Sequence, residues 1–135
     1  MSSELRALAD RVSVAESRIR DHVRETYLEF SPALSTLSGG SVYCKLENLQ
    51  HSGSFKLRGA FNKILSLSET ERERGIVTSS SGNHGAGVAY ALGTLGQAGK
   101  VFVPTNVSPG KAQNIERLGG TLTYYGADVV DTDAE

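Results

Sequence analysis

Apolar residues near the amino terminus recur at steps of three and four positions. Between residues 3 and 23 they are Leu5, Leu8, Val12, Ala15, Ile19 and Val23. Residues at this spacing share one face of an α-helix, so the pattern predicts an amphipathic helix with one apolar stripe. The pattern is lost over residues 26–40, where Pro32 and the pair Gly39-Gly40 favour an irregular segment.

From residue 42 onwards, short apolar runs alternate with segments of helical periodicity. The runs at residues 42–46, 76–79, 101–103 and 121–125 predict β-strands. The segments at residues 54–67, 83–95 and 109–118 predict helices. This alternation indicates an α/β fold with a doubly wound parallel sheet of about four strands, preceded by the amino-terminal helix.

Composition and charge narrow the functional classes. The 135 residues carry a formal net charge of −1, which gives no support for a nucleic-acid binder. The sequence has neither an apolar run of the roughly 20 residues that cross a membrane nor a signal-peptide core. Cys44 is the single cysteine, and no set of His, Asp and Glu has the spacing of metal ligands. We therefore expect a cytoplasmic protein without nucleic-acid, membrane or metal partners.

The junction before the helix at 54–67 carries positive charge where helices favour negative charge. Lys56 and Arg58 occupy its first turn, and no acidic residue accompanies them. The partly positive amides of a helix start and a neighbouring arginine both disfavour the charged ammonium. The pattern therefore predicts a neutral amine at Lys56, the form that attacks a carbonyl group. The structural alternative is a pair of solvated surface cations.

The junction before the helix at 83–95 is rich in small and polar residues. They are Ser80, Ser81, Gly82, Asn83, His84 and Gly85. Exposed amides at a helix start bind carboxylate or phosphate, and glycine lets a ligand approach the backbone. The glycines do not have the G-x-G-x-x-G spacing, which counts against a nucleotide-binding module. The structural alternative is a tight turn whose small residues allow close packing.

Both junctions follow predicted parallel strands, whose carboxyl ends meet at one edge of the sheet. Ligands of such sheets bind at that edge. An activated lysine beside two anion-binding helix starts suggests an aldehyde cofactor and the carboxylate of an amino acid.

Three segments resemble a known family. Residues 45–50, Lys-Leu-Glu-Asn-Leu-Gln, and residues 53–60, Gly-Ser-Phe-Lys-Leu-Arg-Gly-Ala, resemble the pyridoxal-phosphate attachment signature of serine/threonine dehydratases. Residues 81–85, Ser-Gly-Asn-His-Gly, resemble the asparagine loop of that family. The resemblance implies the small domain of a fold type II enzyme, similar to the tryptophan synthase β subunit.

The resemblance also implies a role for each site residue. Lys56 would hold pyridoxal 5′-phosphate as an internal aldimine and take the substrate Cα proton, and Phe55 would pack beside the cofactor. Asn83 would hydrogen-bond the 3-oxygen of the ring. Ser81 would lie on the opposite ring face, where related racemases place a second acid/base. The substrate carboxylate would be bound by Ser80, Ser81, Gly82, Asn83 and His84.

The implied reaction is the removal of water and ammonia from a hydroxy amino acid. L-threonine or L-serine would become a 2-oxo acid and ammonia, in an enzyme that is a homo-oligomer at full length. The alternatives are an amino-acid racemase acting on serine, with which Ser81 is compatible, and a non-catalytic remnant of the fold. The sequence leaves open which hydroxy amino acid is the substrate.

Two features depart from the family pattern. Thr26-Tyr27-Leu28 stands where the family usually has Thr-Pro-Leu. The glycine-rich loop that binds the cofactor phosphate, and the residue that meets the pyridine nitrogen, fall beyond residue 135 in the family. We therefore expect residues 1–41 to belong with an absent large domain and residues 42–135 to form the lysine-bearing small domain. This interpretation predicts that the chain is a fragment that is inactive alone.

Overall fold

Residues 2–127 form six α-helices and five β-strands in this computed structural model, which describes that part of the chain. The helices are α1 (Ser3–Ile19), α2 (Pro32–Ser38), α3 (Lys56–Ser66), α4 (Glu69–Glu73), α5 (Asn83–Leu95) and α6 (Pro109–Arg117). The strands are β1 (Leu28–Phe30), β2 (Tyr43–Lys45), β3 (Ile76–Ser79), β4 (Gly99–Val103) and β5 (Leu122–Tyr124).

The central sheet is parallel, with strand order β3-β4-β5. Thr78 lies opposite Val101, and Val101 lies opposite Leu122. The α/β class is thus confirmed, with three strands in the parallel sheet of the described residues. Successive right-handed crossovers in one direction place α5 and α6 on the same face. On the other face Val77 is 69% exposed, so the described helices that pack on the sheet form one layer.

The strand predicted at residues 42–46 does not join this sheet. β2 pairs antiparallel with β1, and Cys44 lies opposite Glu29. The segment predicted to be irregular contains both β1 and α2, which begins at Pro32 after the cap residue Ser31. A three-residue strand and a seven-residue helix are too short for their periodicity to appear in a sequence.

The amino-terminal helix is confirmed as α1, which is followed by a 3₁₀ turn at Arg20–His22. Its carboxyl end packs in the core, where Ile19 is buried beside Phe61 of α3. Leu5, Leu8 and Val12, earlier in the same stripe, are exposed. The described residues therefore cover only the last part of the apolar stripe.

Helix α5 is buried on both sides. Its Val88 and Leu92 pack with Leu57 and Phe61 of α3 in one cluster. Ala89, on another face of α5, packs with Val101 and neighbouring residues in a second cluster. Complete burial of an aliphatic or aromatic side chain stabilises the fold by about 1.5–3 kcal/mol. This packing fixes α3 relative to the sheet through α5.

Candidate active site

Lys56 lies in the first turn of α3, as the sequence predicts, but the helix begins at Lys56 itself and not at Ser54. Phe55 precedes it as the cap residue but makes no side-chain hydrogen bond to the helix start. Both side chains are exposed, and the Lys56 amine lies 4.9 Å from the centre of the Phe55 ring. The lysine is therefore accessible at the start of an uncapped helix.

The start of α5 presents free backbone donors. Gly82 is the cap residue, and its carbonyl accepts a hydrogen bond from the Ala86 amide at 3.0 Å. The Gly82 amide donates to the Ser80 hydroxyl at 3.2 Å. Within residues 2–127 no protein acceptor is found for the amides of Ser81, Asn83, His84 and Gly85. These amides can bind a carboxylate or phosphate, although the amide of Gly82 is already used.

The two helix starts meet at Gly87. A Cβ atom at this position would lie 3.0 Å from the Leu57 amide nitrogen and 3.1 Å from the Lys56 carbonyl carbon. Gly87 is four residues from Asn83, or about one helical turn along α5. Lys56 and Asn83 therefore begin neighbouring helices on the same side of the molecule.

The glycines of the second junction have different roles. A Cβ at Gly85 would lie 2.1 Å from the Ser80 carbonyl oxygen, so the turn itself requires glycine. A Cβ at Gly82 would meet nothing within 4 Å. Gly85 and Gly87 thus allow close packing, which was the structural alternative for this segment. Gly82 faces open space, as a ligand-approach position would.

Arg58 has a partner that the sequence does not indicate. Its Nε and Nη2 donate to the two carboxylate oxygens of Glu47 at 2.9 and 2.8 Å. The Thr26 hydroxyl donates to the same carboxylate at 2.6 Å. The hydrogen bond from Arg58 holds the pKa of Glu47 below its ordinary value, against the opposing effect of burial. The first turn of α3 therefore does have a compensating acid, supplied by the 3₁₀ turn Glu47–Leu49.

The loop before Lys56 is held at two further points. The buried amide side chain of Gln50 bonds the backbone N–H of Arg24 at 3.1 Å and its carbonyl at 2.7 Å. The His51 ring stacks on Tyr90 of α5, with ring centres 5.0 Å apart. Burial, followed by the charge of Arg24, lowers the pKa of His51 and so favours its neutral form. The lysine-bearing junction is therefore tied to residues 24–26 and to α5.

The family described as pyridoxal-phosphate dependent enzymes matches residues 19–135. The chain belongs to this family. Over 115 residues, which are 85% of this chain, it is 41% identical to an L-threonine ammonia-lyase of Thermotoga maritima. Among solved structures it is similar to maize serine racemase (TM-score 0.85, 32% identity, 93% of this chain). It is also similar to the processed form of threonine deaminase isoform 2 from Solanum lycopersicum (TM-score 0.85, 33% identity, 98% of this chain).

The chain spans only part of these relatives. It covers 29% of the Thermotoga maritima protein and 38% of each of the two solved chains. Membership of the pyridoxal-phosphate dependent family therefore concerns residues 19–135, the range that the family matches.

For a pyridoxal-phosphate dependent enzyme, the polar groups of the two junctions fit the cofactor. The hydroxyl oxygens of Ser52, Ser54 and Ser79 are buried without a hydrogen-bond partner in the described part of the chain. A buried hydroxyl without a partner costs about 1–3 kcal/mol, which a polar ligand can offset. Ser52 and Ser54 lie just before Lys56, and Ser79 lies just before the Ser80 turn. No glycine-rich phosphate loop occurs within residues 2–127.

The structure thus brings most of the proposed site residues to one place. Lys56 and Phe55 stand at the start of α3, and Ser81, Gly82, Asn83 and His84 stand at the start of α5. Ser80 stabilises the turn between β3 and α5 through its hydroxyl. The roles that the family resemblance assigns to these residues remain predictions.

Neither a metal centre nor a membrane-spanning helix is found among residues 2–127. No group of three or more His, Cys, Asp and Glu side chains in that range could hold a metal ion. No helix in the same range is both long and apolar enough to cross a membrane.

Proposed function

We propose that this chain is the lysine-bearing portion of an ammonia-lyase that converts L-threonine or L-serine to a 2-oxo acid and ammonia. The observation that carries the proposal is the approach of Gly87 to the Lys56 backbone, which joins the lysine to the free amides of α5. The Thermotoga maritima relative, which is named L-threonine ammonia-lyase, supports the reaction class.

In this proposal each junction has its own task. Lys56 would hold the cofactor, and its amine, when free, would take the proton from the Cα of the substrate. The cofactor would supply an electron sink when bound. Asn83 would donate a hydrogen bond to the 3-oxygen of the ring, and Phe55 would pack beside it. The free amides of Ser81, Asn83 and His84 would hold the substrate carboxylate, because helix-start amides favour anions. The amides of Ser80 and Gly82 are bonded within the protein, so these two residues would shape the turn.

Racemization of serine is the second candidate function. Maize serine racemase has a TM-score of 0.85 to this chain, equal to that of the threonine deaminase. Ser81 is half-buried between the end of β3 and α5. In this second proposal it would act as an acid/base on the ring face opposite Lys56. Ser81→Ala in the full-length protein distinguishes the two: loss of D-serine formation with retained 2-oxo acid formation supports the racemase.

The remaining parts of the proposal concern the whole protein. Residues 1–41 belong with a larger domain, and residues 42–135 form the small domain; of these, Met1 and residues 128–135 lie outside the described part of the chain. The full-length enzyme is a cytoplasmic homo-oligomer whose substrate is a small molecule, without nucleic-acid or membrane partners. A polypeptide of residues 1–135 is expected to be inactive alone, because residues 2–127 contain no glycine-rich loop for the cofactor phosphate.

Mapping the covalent attachment site tests the proposal directly. The chain is incubated with pyridoxal phosphate, reduced with borohydride and digested, and the modified lysine is identified by mass spectrometry. We expect modification at Lys56, and we expect Lys56→Ala to remove it. Lys63→Ala is the matched control, because Lys63 lies on the same helix. Modification that persists in Lys56→Ala would assign the cofactor to another lysine.

A further inference from the structure

We infer that Glu47 is a positioning residue for Lys56 and acts through Arg58. The inference rests on the proposed role of Lys56. Within residues 2–127, Glu47 makes no hydrogen bond to Lys56 itself. Its effect passes through the first turn of α3, in which Lys56 is the first residue and Arg58 the third.

The first turn of α3 is packed through Leu57 and Gly87, but it has no polar anchor of its own. Phe55 makes no capping hydrogen bond, and the turn contains no acidic residue. The first amides of a helix have no partner within the helix, and helix ends fray where nothing satisfies them. Apolar packing sets where this turn lies, and a polar partner is still needed to fix the direction of its exposed side chains.

The pair of Glu47 and Arg58 supplies that fixation. Two parallel hydrogen bonds at 2.9 and 2.8 Å join the guanidinium to the carboxylate. Such a bidentate pair defines orientation as well as distance, because both groups are planar. Residues two apart on a helix diverge by about 200°. Fixing Arg58 toward Glu47 therefore also fixes the direction in which Lys56 leaves the helix, on the opposite side.

Glu47 is itself held in place. The buried Thr26 hydroxyl donates to its carboxylate at 2.6 Å, and the Lys45 amine donates to the Thr26 carbonyl at 2.5 Å. The side chains of Arg58 and Glu47 are 30% and 15% exposed. By contrast, those of the Arg20–Glu16 pair on α1 are 69% and 48% exposed. The first pair is a constrained junction between three segments, and the second is an ordinary surface pair.

The test compares Glu47→Gln with Glu16→Gln in the full chain. The rate of covalent adduct formation with pyridoxal phosphate is followed by absorbance across pH, and the folded fraction is measured in parallel. Glu47→Gln is expected to lower the rate on the high-pH plateau by about tenfold or more. Misplacing the reacting groups by about 1 Å costs on the order of a hundredfold in rate. Glu16→Gln is expected to leave that plateau rate unchanged, because Glu16 acts on Arg58 through charge and is hydrogen-bonded to Arg20 instead.

Two other results for Glu47→Gln would overturn the inference. An unchanged plateau with a profile moved to lower pH would show that Glu47 acts only by offsetting the charge of Arg58. A lower folded fraction with an unchanged rate per folded molecule would show a structural role alone.

Arg58→Lys is the second variant. It keeps the charge but loses the bidentate geometry, so it should slow adduct formation in the same way. If Glu47→Gln does not fold, Arg58→Lys tests the inference in its place. An adduct on a lysine other than Lys56 in the unaltered chain would instead reject the proposed function.

Discussion

Gly87 of α5 lies against the backbone of Lys56 so closely that a Cβ atom there would be 3.1 Å from the Lys56 carbonyl carbon. The lysine of one helix start is thereby set beside the free amides of another. Because the atoms in contact are backbone atoms, they cannot rotate away as a side chain can. The distance between the two junctions thus depends on the absence of a side chain at residue 87.

Gly87→Ala is expected to move the start of α3 and to destabilise the fold by about 1–3 kcal/mol, the usual cost of overpacking. Adduct formation at Lys56 should slow as well. Urea unfolding and the absorbance of the cofactor adduct measure the two effects. Gly59→Ala is the matched control on α3, because a Cβ there meets nothing within 4 Å. Removing glycine from a helix interior should stabilise it by about 0.5–1 kcal/mol. Equal behaviour of the two variants would contradict the packing argument.

Gly82→Ala should leave stability nearly unchanged. Its φ of −113° and ψ of −151° are extended, and a Cβ there meets nothing within 4 Å. We expect a change within about 0.5 kcal/mol, as for an ordinary surface substitution. In the full-length protein, however, substrate should bind more weakly, because the added methyl group occupies space beside the free amides. A destabilised variant with normal substrate affinity would reverse this assignment.

Glu47 gives the fold a pH dependence of known sign. Its pKa in the folded chain is lowered from an ordinary 4.5, chiefly by the hydrogen bond from Arg58. An acid with a lowered pKa stabilises the fold above its unfolded pKa, and this contribution is lost as pH falls through the folded pKa. Stability should therefore fall below about pH 4.5 more steeply in the unaltered chain than in Glu47→Gln. Parallel unfolding curves for both chains across that range would show that the pair contributes little.

Elements with clear periodicity could be predicted from the sequence. The helix predicted at residues 83–95 coincides with α5, Asn83–Leu95, because its apolar faces and glycine-rich start are local signals. β2 could be recognised as a strand, but its partner could not. Antiparallel pairing with β1 depends on a three-residue segment that has no pattern of its own.

In the candidate site, too, local features could be predicted from the sequence and contacts between distant residues could not. Lys56 and the turn at residues 80–85 could be located because each departs from the usual composition of a helix start. The anchor at Glu47 could not, because it is eleven residues from Arg58 and belongs to a different element. Helical spacing relates residues three or four apart, so no local pattern joins these two. The packing role of Gly87 could not be predicted either, because it depends on where α3 lies relative to α5.

The exposed stripe of α1 should make the polypeptide of residues 1–135 self-associate. Leu5, Leu8 and Val12 are 54%, 48% and 60% exposed along one face. Apolar patches of this kind favour association. Leu8→Glu should shift the sedimentation profile toward the monomer. Val14→Glu is the control, because Val14 is also exposed on α1 but lies outside the stripe. A monomeric unaltered chain, or an equal effect of both variants, would exclude the stripe as the contact.

Residues 1–135 alone should turn over L-threonine far more slowly than the typical enzyme rate of about 10 per second. Lys56 can still react with the cofactor, and the amides of α5 can still bind a carboxylate. The cofactor phosphate, however, would have no glycine-rich loop within residues 2–127 to hold it. Under the proposed function, the residues left to orient the ring would be Lys56 and Asn83. Positioning supplies a large share of catalysis, and loose positioning costs orders of magnitude in rate. Formation of 2-oxobutanoate measures turnover, and a full-length relative provides the reference rate. Ordinary turnover by residues 1–135 would mean that the helix starts at Lys56 and Asn83 suffice to orient the cofactor.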